Sequence, residues 1–575
     1  MKTIRRKAAI LLAGLLCAAS FFGCTSSSTP PAESGSSSTG TSSESSAASS
    51  QESDTQETPG DVPTITVMAG VQAHTPLDET NASIKYINEN ANVNIQIIAL
   101  PSEAADTAAK LNLALAGGDY GDVIATTLGR DQIMQIGMRD KIAIPLNDYV
   151  DGSTNLKELF DTRPQYKALS YMSDGNLYAF PNISETYHAS AYPKFWVNKD
   201  WMDTLGIAEP QTTDELYDML VAFRDQDPNG NGEQDEIPAM GNIEWSCPIE
   251  YYLMNSFVPF DLDGQVPSPG SMSYLKDGQV TFAANTDEYR EGLRYIKKLV
   301  DEKLIDVVSF SQKTDQMQQI IRQEPARVGG YTSDHFAMGI NLDDYDANKS
   351  IVALPPVEGP GGARYQPHTD FLDMSGQFSW VITDKCADPE AAFALGDFMY
   401  GAEPSLARSM GKEGEDWGKL DTPKPSVLGL EAIYWTKNNY DADGAQNKNN
   451  LWIPPMKNTF ENRELSNPIP DDLYLPESYE ARLIQETEKV VEYFYPEYLP
   501  KRIENFIDDQ DEVVNFMEMR LNLQNFVKSN TTQFLTGEKN IETDWDSYVA
   551  QLETYQLSEY LETYQKYYDI YKSRM

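Results

Sequence analysis

The sequence predicts an α/β fold built on a parallel sheet, with more than one domain and a helical C-terminal end. Three observations carry this. Strand-like and helix-like runs alternate through the first folded stretch, as they do where helices join parallel strands. The 575-residue chain is too long for one core, since single cores stop growing at roughly 250–300 residues. From Arg502 to Lys572 the pattern is helical throughout, broken only at Thr536-Gly537-Glu538.

The elements follow in order. Thr64 to Met68 is a short β-rich run, Ile84 to Asn90 a helix and Val93 to Ala99 a strand. Thr107 to Leu115 is helical and stops at Gly117-Gly118, and Asp122 to Ala125 is the next strand. Ligands in such sheets sit at the carboxyl ends of the strands, so the loops holding His74, Thr126 and Thr127 are candidates to line a site. Thr213 to Arg224 is an amphipathic helix with Thr213 as N-cap and acids in its first turn. Asp287 to Glu302 and Pro389 to Tyr400 are further helices.

The N-terminus reads as an address. Lys2, Arg5, Arg6 and Lys7 precede an apolar run, Ala8 to Phe22, too short to span a bilayer as a mature helix. It ends at Gly23-Cys24 and resembles a lipoprotein signal, with residues 1–23 removed and Cys24 acylated. Residues 24–62 are almost wholly small, polar or acidic. Such a segment cannot offset its ordering entropy by burial, and is expected to be a disordered tether. The layout suits a protein held by lipid on the outer face of the cytoplasmic membrane. Of the remaining cysteines, Cys247 and Cys386 are expected to be free buried thiols, although one bond between them stays open.

Asp227 to Pro238, DPNGNGEQDEIP, is the most informative segment. Asp227, Asn229 and Asn231 alternate with residues that allow a tight curl, and Asp235 and Glu236 follow. Such an oxygen-rich loop suits Ca²⁺, which takes ~6–8 oxygen ligands. It opens like an EF-hand loop, but Pro238 stands where a bidentate Glu is usual. Asp235 and Glu236 must then close the shell, with the Glu233 carbonyl as mid-loop ligand. The expected role is structural.

Composition excludes partners. A formal charge of −43, more negative still once the basic signal is lost, argues against nucleic acid, which requires a basic surface. It also disfavours adhesion to anionic lipid. Aromatic content of 11%, with 32 tyrosines and 8 tryptophans, allows stacking surfaces for sugar rings. No HExxH, G-x-S-x-G, phosphate loop or CxxC is present, and none of the four histidines is spaced as a metal pair. Paired carboxylates for glycoside hydrolysis are a spatial property and stay open.

Several segments resemble the extracellular solute-binding lipoproteins (family 1) of Gram-positive sugar ABC importers, above all the large calcium-containing, alginate-binding type. They are Ala116 to Ile124 (AGGDYGDVI), Phe195 to Gly206 (FWVNKDWMDTLG), Pro210 to Leu216, Ser379 to Glu390, Gly411 to Trp417, Phe534 to Glu538, Trp545 to Tyr548 and Tyr564 to Tyr571. Gly121 departs from the proline usual in the first of these. The resemblance implies a two-lobed, periplasmic-binding-protein-like flytrap with discontinuous lobes, one at 63–180 plus 350–430 and the other at 181–349 plus 431–575. It implies a monomer that binds an oligosaccharide between the lobes and presents it to permease subunits, without catalysis. A carbohydrate-active enzyme and a binder of peptide or another non-sugar ligand are the alternatives. Candidate cleft residues are His74 and Asp119 at strand ends of the first lobe, Trp245, Tyr331, Asp334 and His335 in loops of the second, and Trp417 and Trp435 in the later segment.

Overall fold

The computed structural model describes residues 62–71, 75–101, 104–244, 248–261, 271–368, 377–437, 451, 453–497, 499–500, 503–507 and 509–574. The chain divides into two units, Met1–Gly60 and Asp61–Met575, and every described residue lies in the second. The signal, Cys24 and the tether to 61 therefore lie outside the described residues.

The alternation in the sequence becomes a parallel sheet. Strand β1 (Thr64–Gly70) is followed by α1 (Ala82–Ala91), β2 (Asn94–Leu100), α2 (Ala104–Gly117) and β3 (Val123–Ala125). Strand β1 pairs in parallel with both β2 and β3, so that Val67 faces Ile97 on one side and Val123 on the other. Val381–Ile382 returns as an antiparallel edge beside β3. Helix α1 starts where the Asn81 side chain accepts from the amides of Ser83 and Ile84, supplying acceptors the first turn lacks. The turn before β3 explains the departure at Gly121: a Cβ there would lie 2.7 Å from Thr66 Oγ1 and 2.9 Å from Thr66 O. Asp122 accepts the Thr66 amide at 2.8 Å and holds that approach in place.

Two large cores account for most of the body. The first is drawn from residues 65–183, Phe378 to Tyr400, Leu451, Ile453 and Phe506. The second is drawn from Phe195 to Ile305, Leu354, Val357 and the C-terminal residues Leu499 to Tyr567, apart from Phe506. Its sheet is antiparallel, with β4 (Lys194–Asn198) as the central strand of three. Helix α3 (Thr213–Asp225) follows β4, and its N-cap is Thr212, one residue earlier than expected, because Thr212 exchanges bonds with Glu215 in a capping box. Strands β5 (Gly330–Ser333) and β6 (Ile351–Leu354) flank β4. A third cluster around Trp196, Tyr331 and Phe336 covers the other face of this sheet.

One expected boundary differs from the packing. The expectation puts residues from 350 with the first lobe, whereas β6 pairs with β4 and the chain re-enters the first core only at Phe378. Helix α4 (Ala402–Met410) and the hairpin of β7 (Trp417–Pro425) and β8 (Glu431–Thr436) make a small core of their own around Trp417. Near the C-terminus come α5 (Phe460–Glu464), α6 (Tyr479–Glu488) and the long α7 (Gln510–Thr536), which ends at Gly537 with φ +85. Left-handed backbone of this kind favours glycine.

Candidate ligand cleft and cation loop

The chain passes between the two cores after Ile183, again after Val357, and again between Ile453 and Leu499. Gln366, buried, joins these crossings. Its side-chain amide donates to Pro193 O at 2.6 Å and its backbone amide to Tyr493 O at 2.9 Å. One residue of the second crossing thus bonds to the first and the third.

Polar side chains gather beside this knot. Glu480 on α6 takes the Arg463 guanidinium at 2.6 Å and pairs with His188 Nδ1 at 3.0 Å. Burial pushes the Glu480 carboxyl up, but His188 and Arg463 outweigh it and hold the group well below the usual carboxylate range. The same pairing raises Arg463 against its burial. A cavity of about 310 Å³ opens here between α4, the end of β8 and α6. Arg408, Lys437, Asn458, Asn462, Arg463 and Tyr479 are in its wall. Amide, guanidinium and ring groups of this kind bond to hydroxyls and stack on apolar faces, which is the chemistry of sugar recognition. A larger groove of about 1060 Å³ runs past Thr127, Gln132 and Gln377 to Val514 and Met517 on α7, and among the described residues no aromatic side chain lines it.

The sequence candidates divide. Asp334 is buried, accepts the His335 amide at 2.9 Å and lies next to the polar gathering through β5. His335 has 27% of its side chain exposed, stands edge-on to Tyr479 with ring centres 5.8 Å apart, and leaves Nδ1 without a partner. Burial lowers its pKa, partly offset by Asp334. Neither lines the cavity, although His335 stands against Tyr479, which does. Tyr331 is core, its hydroxyl donating to Phe336 O at 2.7 Å and its ring filling the space over Gly339. Trp417, fully buried, donates from Nε1 to Gly411 O and packs between Tyr86 and Tyr434. Asp119 is exposed and precedes β3, at the amino rather than the carboxyl edge of the sheet. Trp435 is half-buried with its indole laid on Gly418, one residue before the cavity-lining Thr436. His74, Trp245 and Cys247 lie outside the described residues. Cys386 is a half-buried free thiol whose pKa burial pushes up to about 11. Sequence reasoning missed Arg463, Tyr479, Glu480 and Lys194, because no motif surrounds them and their partners are far away in the chain.

The loop after α3 curls as its composition requires. Asp227 (φ 48), Gly230 (φ 70) and Gly232 (φ 79) take left-handed backbone. The Asp227 carboxylate accepts the amides of Asn231 at 3.1 Å and Gly232 at 3.0 Å, Asn231 Oδ1 accepts the Glu233 amide at 2.6 Å, and Asn231 Nδ2 donates to Asp235 at 3.0 Å. Asn229 is tied to Ala326 O and Asp235 to Arg327. Both carboxylate oxygens of Glu236 are shielded from solvent and have no partner. Burial raises the Glu236 pKa, against the pull of the nearby Glu236 and Asp235 backbone amides, and the charges of Asp235 and Asp227 add to the rise. Among the described residues no group of three or more His, Cys, Asp or Glu could hold a metal by itself, so any cation here would need the amide and carbonyl oxygens as well.

Residues 75–405 match the family described as bacterial extracellular solute-binding protein. The chain belongs to this family. This solute-binding protein is 28% identical over 496 residues, 82% of its length and 84% of the relative's, to the fructooligosaccharide ABC transporter substrate-binding protein FusA of Streptococcus pneumoniae serotype 4. The solved structure of FusA in complex with kestose superposes with a TM-score of 0.66 at 25% identity, covering 89% of this chain and 100% of that one. An HMO-binding, ABC-transporter-associated solute-binding protein from Bifidobacterium longum infantis superposes at 0.69 with 21% identity, covering 88% and 99%. The fold of this solute-binding protein is accordingly the two-lobed α/β architecture.

Proposed function

We propose that this chain is the lipid-anchored substrate-binding component of a carbohydrate ABC importer. It captures an oligosaccharide between its lobes and hands it to permease subunits without chemical change. The observation that carries the reading is the polar cavity and charged cluster beside the crossings, in a chain related along 82% of its length to a fructooligosaccharide binder. Closure on ligand shifts a two-state equilibrium, and only the closed form presents a complete docking surface. Arg463, Asn462, Tyr479 and His335 are the groups assigned to hydroxyl recognition and stacking, joined by Trp245 and His74 on sequence grounds. A formal charge of −43 disfavours a polyanionic ligand. Acylated Cys24 and the tether would hold a monomer at the extracellular face of the membrane.

The cation loop fits Ca²⁺. Asp227, Asn229, Asn231, the Glu233 carbonyl, Asp235 and Glu236 would hold it, and the unpartnered Glu236 carboxylate is the observation in favour. The ion would neutralise three neighbouring acids and fix the end of α3.

Calorimetric titration with a panel of neutral oligosaccharides, fructooligosaccharides included, tests the reading. Saturable heat with the sugar recovered intact supports it. Released product would turn the reading to an enzyme, and heat only with peptides to a non-sugar importer.

A further inference from the structure

We propose that Lys194 is a proton-linked tie of the hinge, fastening the 187–190 turn to β4 as a neutral amine while the site is dry and taking up a proton when movement of that turn admits water. Lys194 opens β4 immediately after the first crossing, and its side chain is 0% exposed. Its Nζ donates to the carbonyls of His188 and Ala191, each at 3.0 Å. Both acceptors belong to the stretch that carries the first crossing, and neighbouring Pro193 is the residue bonded to Gln366. Movement of the 187–190 turn relative to β4 would break these two bonds.

Burial without an ion-pair partner favours the neutral form. An ammonium here would have two carbonyls and the face of the Tyr192 ring, 5.3 Å away at its centre, a cation–π contact that offsets only part of the cost of burying the charge. Lys194 forms no ion pair among the described residues. The ionisable neighbours are His188 and Tyr192 on the crossing, Asp334 and His335 at the end of β5, Arg463 on α5, and Glu480 and Glu486 on α6. Their acids already have other partners: Glu480 is held by Arg463 and His188, Glu486 by the Ala353 amide and Lys489, and Asp334 by the His335 amide. Burial lowers the Lys194 pKa to about 7, against the opposing charges of Asp334 and Glu486.

Because the folded value lies below the ordinary 10.5, the unfolded chain holds this proton more firmly. The resulting destabilisation is fully present below about pH 7 and is relieved as pH rises towards 10. The mature full-length protein and Lys194→Met are compared without ligand from pH 6 to 10. Between about pH 7.5 and 9 the wild-type unfolding constant should fall, relative to the variant, by about tenfold per pH unit. In wild type, selectively ¹³C-labelled lysine should show one side-chain signal titrating near neutrality, absent from Lys194→Gln; this needs no stable Met variant. Parallel stability curves, or a Lys194 signal still unchanged at pH 6–9, overturns the proposal. The link to capture rests on the proposed function and is read separately. At pH 7, binding heat of the wild type should depend on buffer ionisation enthalpy, and that of Lys194→Gln should not. Failure of every sugar to bind removes the importer reading and leaves the ligand-free titration standing as its own test.

Discussion

The side-chain amide of Gln366 donates to the carbonyl of Pro193 at 2.6 Å, across 173 positions of sequence. Together with the Gln366–Tyr493 backbone bond, it makes the crossings one mechanical unit. Closure about such a unit requires small dihedral changes in few residues. Gln366→Ala should leave the buried Pro193 carbonyl without this donor and cost about 1–3 kcal/mol of stability. Denaturant unfolding measures this, and a loss under ~0.5 kcal/mol would show that the knot is dispensable.

Calcium should raise the melting temperature by mass action, reaching about 2.7 kcal/mol of stabilisation at a hundredfold excess over Kd. Chelator should reverse the gain, and Asp227→Ala combined with Asp235→Ala should remove the response. A wild-type melting curve indifferent to both ion and chelator would count against the site.

Glu480 should govern part of the acid limb. Its folded value lies below the ordinary 4.5, so its contribution is present above that pH and lost as pH falls through the lower folded value. Replacing it by Gln should flatten the stability loss below about pH 4.5. An unchanged acid profile would mean that His188 and Arg463 do not hold its charge in solution.

Two tryptophans should behave oppositely. Trp417→Ala should cost on the order of 3–5 kcal/mol of stability, because the ring is the centre of a small core. Trp245→Ala, if the ring stacks on sugar, should cost about 1–3 kcal/mol of affinity with an unchanged melting temperature. The exchange of these two phenotypes would place the stacking platform at Trp417.

Cys24→Ser should leave the precursor unacylated and shift the protein from the membrane to the soluble fraction. Full membrane retention would point to Cys17 or to an uncleaved N-terminal helix.

Local structure is legible from the residues in order. Alternation from Thr64 to Ala125, the glycine stops and the DPNGNG curl depend on neighbours within a few positions, where propensity and spacing act directly. The two-lobed plan was legible because the family segments recur in order along the chain. Which side chains face a cavity and which fill the core depends on long-range packing. Tyr331 and Trp417 carry the same aromatic signal as a stacking platform, yet one is buried against Gly339 and the other between Tyr86 and Tyr434. Asp119 sits at a strand end, but at the amino edge. Conversely, Glu480 acquires its character from His188, 292 positions away, and Lys194 from burial beside a crossing. Burial and long-range pairing are properties of the packed chain, and no residue's own neighbourhood in sequence contains them.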